Sequence, residues 1–533
     1  MVHEMKNYAR IFIVAVVLLF SGCKDWLDVT PAGQATESDL FSTGSGYRSV
    51  LNGLYKAMGV QNLYGRDWSY GMLDCMAQLY DLGNTATFSD DMCRAAEKFE
   101  YTDEKVAGRI EGAWGIAYNI IANANDLLQN IQNASDDLFA KGEMERKMIM
   151  GEAYACRAFV HFELLRLFAP APINDDGRAY IPYIDTYPTL TASKMGVKPY
   201  LEKVIADLVK ARELVVAFDS TVNGLGVNLS GTGRFDNQFL YDGTSISGEQ
   251  LEGFDISLID DFFKGRGYRL SYNAVTALLA RVCQYAGRDQ EAFDYADEVV
   301  KANVVFRDGA PRMMYKDDYS GLTQGYGNSE ESFNSRKDYK TKSNLIFAAY
   351  NSLSYEGNGS WLKRDWKGGM SPNWFQISEG YFKHGSVDEK GSDYRWCHLM
   401  FLGGGACPVS AKYVIPSNYD TRDKTINLFP IIRLTEMKYI MAEHYARNGN
   451  FADAYGILNV IRQNRGLWDS SLSGATWNEF EQELLHDARR EWISEGQLFF
   501  LYKRLNAAVV DDNGVSRPMT LQESMFPVPA DIK

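Results

Sequence analysis

The chain has 533 residues, 46% of them hydrophobic, enough to bury a large core and to allow more than one domain. Its formal net charge of −14 argues against a nucleic-acid partner, because phosphate binding needs a cationic face. Aromatic residues make up 13% of the chain, an excess that serves packing or recognition surfaces.

Near the start, Lys6 and Arg10 lead into an unbroken apolar run over residues 11–20, too short to span a bilayer. This predicts a secretory signal peptide over residues 1–22. It ends at Phe20-Ser21-Gly22-Cys23, which resembles the lipobox of bacterial lipoproteins and makes Cys23 the expected lipidation site. Phe20 stands where an aliphatic residue is usual; the alternative is a plain secretory signal followed by an unrelated cysteine. The other cysteines are Cys75, Cys93, Cys156, Cys283, Cys397 and Cys407, with no CxxC pair, so neither a zinc site nor a thioredoxin-like motif is indicated. Cys156 and Cys283 fall in helical apolar patterns and are expected in the core. Only Cys75 with Cys93, or Cys397 with Cys407, could bridge locally, and no disulfide framework is expected.

A tether over residues 24–36 precedes a helix after Ser45, with Tyr47, Leu51, Leu54 and Met58 on its inner face. Residues 60–89 carry Tyr64, Trp68, Tyr70, Asp74, Tyr80 and Asp81 among glycines, as loops around a helical piece near 72–79. Amphipathic helices are predicted over 110–128 and 145–168; Ala169-Pro170-Ala171-Pro172 stops the second. After a polar crossing, Pro199 is placed to open a helix running to about Phe218. Residues 219–267 are glycine-rich loops with short elements. Residues 272–302 form a helical hairpin. Residues 303–428 are then a long insertion holding Trp361, Trp366, Trp374 and Trp396, more suited to function than to filler. Residues 429–466 are predicted as two antiparallel helices turned at Asn448-Gly449-Asn450. One more helix is expected over 480–503, before a proline-broken tail over 519–533.

The two hairpins share one spacing. Ala442, Tyr445, Gly449, Ala454, Leu458 and Ile461 sit at tetratricopeptide positions, and Ala280, Cys283, Gly287, Ala292, Ala296 and Val299 repeat the same offsets. Such hairpins cannot bury their apolar faces alone, so others should stack on them.

Several ordered stretches together resemble the SusD/RagB family of outer-membrane lipoproteins. They are Cys23-Lys24-Asp25-Trp26-Leu27-Asp28, Trp114 with Tyr118, Ile121 and Asn123, and Gly151-Glu152-Ala153 with Arg157-Ala158 and Phe162. Arg433-Leu434-Thr435-Glu436 with Ala442-Glu443, Arg489-Arg490-Glu491 with Glu495-Gly496 and Phe500, and Phe526-Pro527-Val528-Pro529 complete the set. The resemblance implies a mostly α fold, a tetratricopeptide-like helical hairpin scaffold of about four hairpins with a loop-rich, aromatic-rich ligand-binding side. The first two hairpins would use the Ala153 and Leu208 helices. Residues 23–533 would be a single SusD-like domain with long insertions at 219–267 and 303–428. It also implies a role without catalysis or cofactor. The protein would capture oligo- or polysaccharide at the cell surface and pass it to a SusC-like TonB-dependent transporter, held in the outer membrane by its lipid and facing the exterior. Lys24-Asp25 resembles the signal that exports such lipoproteins to the surface.

Sugars present apolar C–H faces between hydroxyls, so rings flanked by polar groups suit them. Two regions offer this mixture. The first supplies Trp68, Tyr70, Asp74 and Asp81; the second supplies Trp361, Arg364, Trp366 and Trp374. A tryptophan in a loop can equally be a packing anchor. Trp114, Trp477 and Trp492 lie on helical faces and are expected in the core. Asn123 and Glu152 are expected to satisfy buried polar groups, and Arg489-Arg490-Glu491 to fix helix ends or neighbouring helices. Two alternatives stand beside glycan capture: the same fold binding peptides, and a helical glycoside hydrolase, which would need two carboxylates facing each other across a cleft. No HExxH or Ser-His-Asp signature occurs, so no catalytic triad is expected and no metal ligands are assigned; there is no EF-hand-like loop, which leaves open whether a calcium ion assists.

Overall fold

The computed structural model describes residues 37–82, 90–229, 251–317, 319, 339–354, 376–403, 407–413, 427–469, 471–511 and 514–529. After a single turn over Glu37–Leu40, the helix α1 (Gly44–Met58) starts on Thr43, whose hydroxyl accepts from the Gly46 amide. Two short helices follow, α2 (Met72–Met76) within a coiled segment and another over Asp91–Glu97. Next come the long helices α3 (Glu104–Ile131), α4 (Gly142–Phe168) and α5 (Val197–Asp219). The two hairpins marked by the glycine spacing are α6 (Tyr272–Tyr285) with α7 (Asp289–Val300), and α8 (Leu434–Arg447) with α9 (Phe451–Asn464). Gly287 and Gly449 both turn at φ +75°, a conformation a side chain would strain. Helices α10 (Trp477–Glu491) and α11 (Leu498–Leu505) close the scaffold.

Packing follows chain order. Each of α3 to α10 lies against the next, giving a mostly helical, tetratricopeptide-like stack. In its middle, α4 is buried on nearly every side from Gly151 onward, so its charges must be paired. The Tyr55 hydroxyl donates to Glu152, which also faces Arg266 at 2.8 Å, and Arg157 pairs with Asp207 at 2.6 Å. Glu152 thus plays the expected part. Asn123 does not: it is exposed and bonds back to Asn119, while Asn125 is the buried amide, donating to Ile184 and accepting from Arg157.

Two stretches depart from the predicted helices. The described strands all form short two-stranded pairs, among them β1 (Leu345–Tyr350), the arms β2 (Lys383–His384) and β3 (Val387–Asp388) of one small hairpin, and β4 (Leu428–Arg433). Residues 429–433, expected as helix, therefore pair antiparallel with β1, with a register shift between Pro430 and Ile432. Pro430 lacks an N–H, and the run is buried on both faces, so its apolar residues fit a strand with no alternation. The helix expected over 480–503 breaks between Trp492 and Gln497, where Ser494 and Gly496 take positive φ.

One contiguous apolar core includes residues from Tyr47 to Phe526. The tail closes on it: the Phe526 amide donates to the Leu167 carbonyl, and its ring meets Phe168 and Tyr101 edge-on. Cys75, Cys93, Cys156 and Cys283 are buried thiols and Cys397 is also unbridged. Trp114 and Trp492 are core residues, and half-buried Trp477 lies under the Arg447 guanidinium at 4.3 Å. Among the described residues no helix is long and apolar enough to cross a membrane. Cys23 and the signal segment lie outside the described residues.

Candidate functional site

The first region turns inward. Trp68, Tyr70 and Asp74 are 1%, 1% and 0% exposed, so they offer neither ring face nor carboxylate to a ligand. Trp68 meets Tyr64 edge-on at 5.8 Å, and Tyr70 lies 4.4 Å from Tyr413. Asp74 accepts from the Gly496 amide at 3.0 Å and from the Tyr80 hydroxyl at 3.2 Å. Burial pushes its carboxyl well above the usual range, which these hydrogen bonds offset only in part. The sequence mixture of aromatics, acids and glycines looks like a surface loop. It is instead a tight coil of backbone hydrogen bonds over residues 58–79, sealed beneath the break between α10 and α11. Asp81, at the end of this coil, is half-buried and reaches the surface.

Trp361, Arg364, Trp366 and Trp374 lie outside the described residues, but the backbone that follows them is described. Tyr80 forms an antiparallel bridge with Ile377, and the Asp81 amide donates to the Gln376 carbonyl at 2.9 Å. On the other side, Gln376 bridges Val409 and the Ile377 amide donates to Pro408 at 2.8 Å. The end of the first aromatic region is therefore joined at Asp81 to Gln376, nearly 300 positions later and two positions after Trp374 in sequence.

Behind this joint the insertion is held to the scaffold by buried ion pairs. Arg465 contacts Asp317 and Glu491, each at 2.7 Å, and donates to Thr435 at 2.8 Å. Arg395 reaches Asp393 and Asp487 at 2.9 Å and Glu491 at 3.2 Å. Glu495 takes both Arg433 and Lys412, and Glu389 takes Arg490 and Arg462. The buried carboxylates Asp317, Glu389, Asp393, Asp487, Glu491 and Glu495 share the buried cations Arg395, Lys412, Arg433, Arg462, Arg465 and Arg490, with half-buried Lys438 also on Asp317. Burial alone would raise Glu491, but the charges of Arg465 and then Arg395 outweigh it and hold the carboxyl well below its usual range. Arg490 and Glu491 thus do fix neighbouring elements, while Arg489 turns to the Tyr502 hydroxyl. The network fixes where the loops start and end, which is what a binding surface built on irregular backbone requires.

Two features were not anticipated. Among the described tryptophans only Trp468 is exposed, at 64%. It stands just past Gly466, which ends α9 at φ +90°, so the helical pattern had already stopped there. The second is a cluster of His384 on β2 with Glu483 and His486 on α10. Glu483-Leu484-Leu485-His486 is an i, i+3 pair on one helical face, a spacing visible in sequence; the distant His384 is not. Burial, then the nearby Arg490 charge, lowers His486 to about 3, so the ring is neutral.

The sequence matches two family models. One, described as starch-binding and associating with the outer membrane, covers residues 25–222. The other, the SusD family model, covers residues 257–525, half of the chain. The chain belongs to the SusD family. A SusD-like protein P2 of Formosa agariphila is 31% identical over 209 residues, 39% of this chain but only 38% of that relative's length. Among solved structures, a SusD superfamily protein of Bacteroides thetaiotaomicron superposes with a TM-score of 0.60 at 21% identity, over 92% of this chain and 97% of that one. A SusD-like carbohydrate binding protein of Bacteroides vulgatus gives 0.61 at 17% identity, over 92% and 95%. The SusD family is one of carbohydrate-binding proteins associated with the outer membrane, not of enzymes.

Proposed function

We propose that this SusD-family chain is a cell-surface lipoprotein that captures oligo- or polysaccharide and delivers it, unmodified, to a SusC-like TonB-dependent transporter. Residues 1–22 would be the signal peptide and Cys23 the lipid anchor, leaving one SusD-like domain from 23 to 533 facing the exterior. Family membership carries the reading. The joining of Asp81 to Gln376 supports placing the ligand over that edge, with Trp361, Arg364, Trp366 and Trp374 as the contacts and Asp81 beside them. Trp68, Tyr70 and Asp74 act on this reading as the floor under the joint rather than as ligand contacts.

Affinity electrophoresis through gels holding plant, host and microbial polysaccharides tests the proposal. Retardation by one glycan, reduced by Trp361→Ala and Trp366→Ala, is the expected result. Retardation by none, with binding of peptides in solution, would replace glycan with peptide as the cargo; release of shortened sugar would replace capture with hydrolysis. Purification from membranes without a barrel protein would remove the transporter from the proposal.

A further inference from the structure

A cleft of about 500 Å³ opens between the β2–β3 hairpin, α10 and the chain that follows α11. Its wall includes His384, Glu483 and His486, whose candidate ligand atoms all lie within 4.8 Å of one another. His384 Nε2 is 3.0 Å from both oxygens of Glu483. His486 Nε2 is 2.8 Å from the Lys383 carbonyl oxygen, a contact that is favourable only with the proton on Nε2. That tautomer leaves the lone pair on Nδ1, which is buried and has no hydrogen-bond partner. Arg490 Nη2 also lies 3.1 Å from Nε2, while its Nη1 is held by Glu389 and Asp393; the shorter contact with the Lys383 carbonyl sets the proton on Nε2. We propose that His384, Glu483 and His486 form a binding site for a divalent transition-metal ion with the ligand preference of zinc.

The chemistry of the donors selects the ion. Two imidazoles and one carboxylate suit zinc and its neighbours, while calcium and magnesium call for a shell of oxygens. A metal-bound imidazole characteristically donates its other N–H to a backbone carbonyl, which fixes the ring, and His486 already makes that bond to Lys383. The carboxylate and one imidazole come from a single helical face, three positions apart, and the third donor comes from a different element. His384 and Glu483 are 33% and 24% exposed, so their side chains can close on an ion without disturbing the core. Three protein ligands leave further coordination positions facing the cleft. Bound metal would fasten the β2–β3 hairpin to α10, the same helix that carries Asp487, Arg490 and Glu491.

The test uses the purified chain without a polyhistidine tag, stripped with chelator and dialysed, then titrated calorimetrically with zinc chloride and, separately, calcium chloride. One zinc per chain, no calcium at the same site and a zinc-dependent rise in the thermal midpoint are expected. His384→Ala changes a part-exposed residue on a two-residue strand, so the variant should keep its circular dichroism and metal-free midpoint. Its zinc affinity should fall more than tenfold, as should that of Glu483→Gln. The proposal is overturned by no stoichiometric zinc uptake in the parent chain, or by uptake that His384→Ala and Glu483→Gln leave unchanged.

Discussion

The amide of Gly496 donates to Oδ1 of Asp74 at 3.0 Å, which ties the break between α10 and α11 to the coil that holds Trp68 and Tyr70. Gly496 has φ +71°, and a Cβ there would lie 2.2 Å from the Trp68 carbonyl oxygen. Gly496→Ala adds left-handed strain to a backbone clash, and a loss of about 2–4 kcal/mol is expected. Urea unfolding monitored by circular dichroism measures it; a loss under about 0.5 kcal/mol, the range of an ordinary surface change, would contradict the fit.

The same relationship separates two tryptophans. Trp68→Ala empties a buried site and should cost about 3–5 kcal/mol while leaving glycan retardation unchanged at temperatures where the variant is folded. Trp468→Ala removes an exposed ring and should change stability by no more than about 0.5 kcal/mol. If Trp68→Ala remained stable and lost retardation, the inward packing of the coil would be the wrong account.

Glu491→Gln tests the buried network. The substitution leaves Arg465 and Arg395 facing a neutral amide, and the loss of one partner in a buried pair costs about 3–5 kcal/mol. Because Arg465 and Arg395 bind the insertion through Asp317 and Asp393, limited proteolysis should then cut within residues 303–428 before the helical scaffold. Simultaneous cleavage of both would show that the network does not anchor the insertion.

Stability should fall in acid in two steps. His161 is buried, with Nδ1 2.6 Å from the Tyr200 hydroxyl and Nε2 3.0 Å from the Ile184 carbonyl, and burial lowers it from 6.5 to about 3. The folded state resists its protonation while the unfolded state accepts it. The contribution is therefore complete above pH 6.5 and shrinks as pH falls toward 3, by about 2 kcal/mol at pH 5. His486, lowered by burial to the same degree, adds a similar share, so His161→Gln should reduce this part of the profile by about half. Glu491 and the other depressed carboxylates add a second loss below about pH 4.5, where the unfolded chain takes up protons first. Denaturant midpoints from pH 8 to pH 4 in both proteins measure the difference.

Much of the scaffold was legible in sequence because its signals are local. Gly287 and Gly449 mark turns, Pro170 and Pro172 mark a stop, and the periodic apolar residues of α3 and α5 mark faces. The errors arise where long-range contacts decide. Phe429 and Ile432 are apolar in either conformation, and only pairing with β1 makes them a strand. Gly496 interrupts a helical pattern because Trp68 and Asp74, more than 400 positions earlier, occupy the space beside it. In the candidate site, residue type alone did not distinguish a ring held inward, as in Trp68, from one left outward, as in Trp468. The partnership of His384 with Glu483 and His486 depends on a hairpin returning to α10, which local spacing does not encode.

The joint at Tyr80 and Ile377 has a mechanical consequence. A polymer gripped near Trp374 and tugged from outside would load the backbone at Gln376 and Ile377. There the pull divides between Asp81 on one side and Pro408 on the other, in parallel rather than one bond at a time. A few residues further along, the Tyr381 carbonyl accepts from Arg490 at 2.8 Å, so tension passes into the axis of α10. On the proposed reading such an edge would act as a cleat on a rigid post, holding a long chain taut while its free end is drawn away.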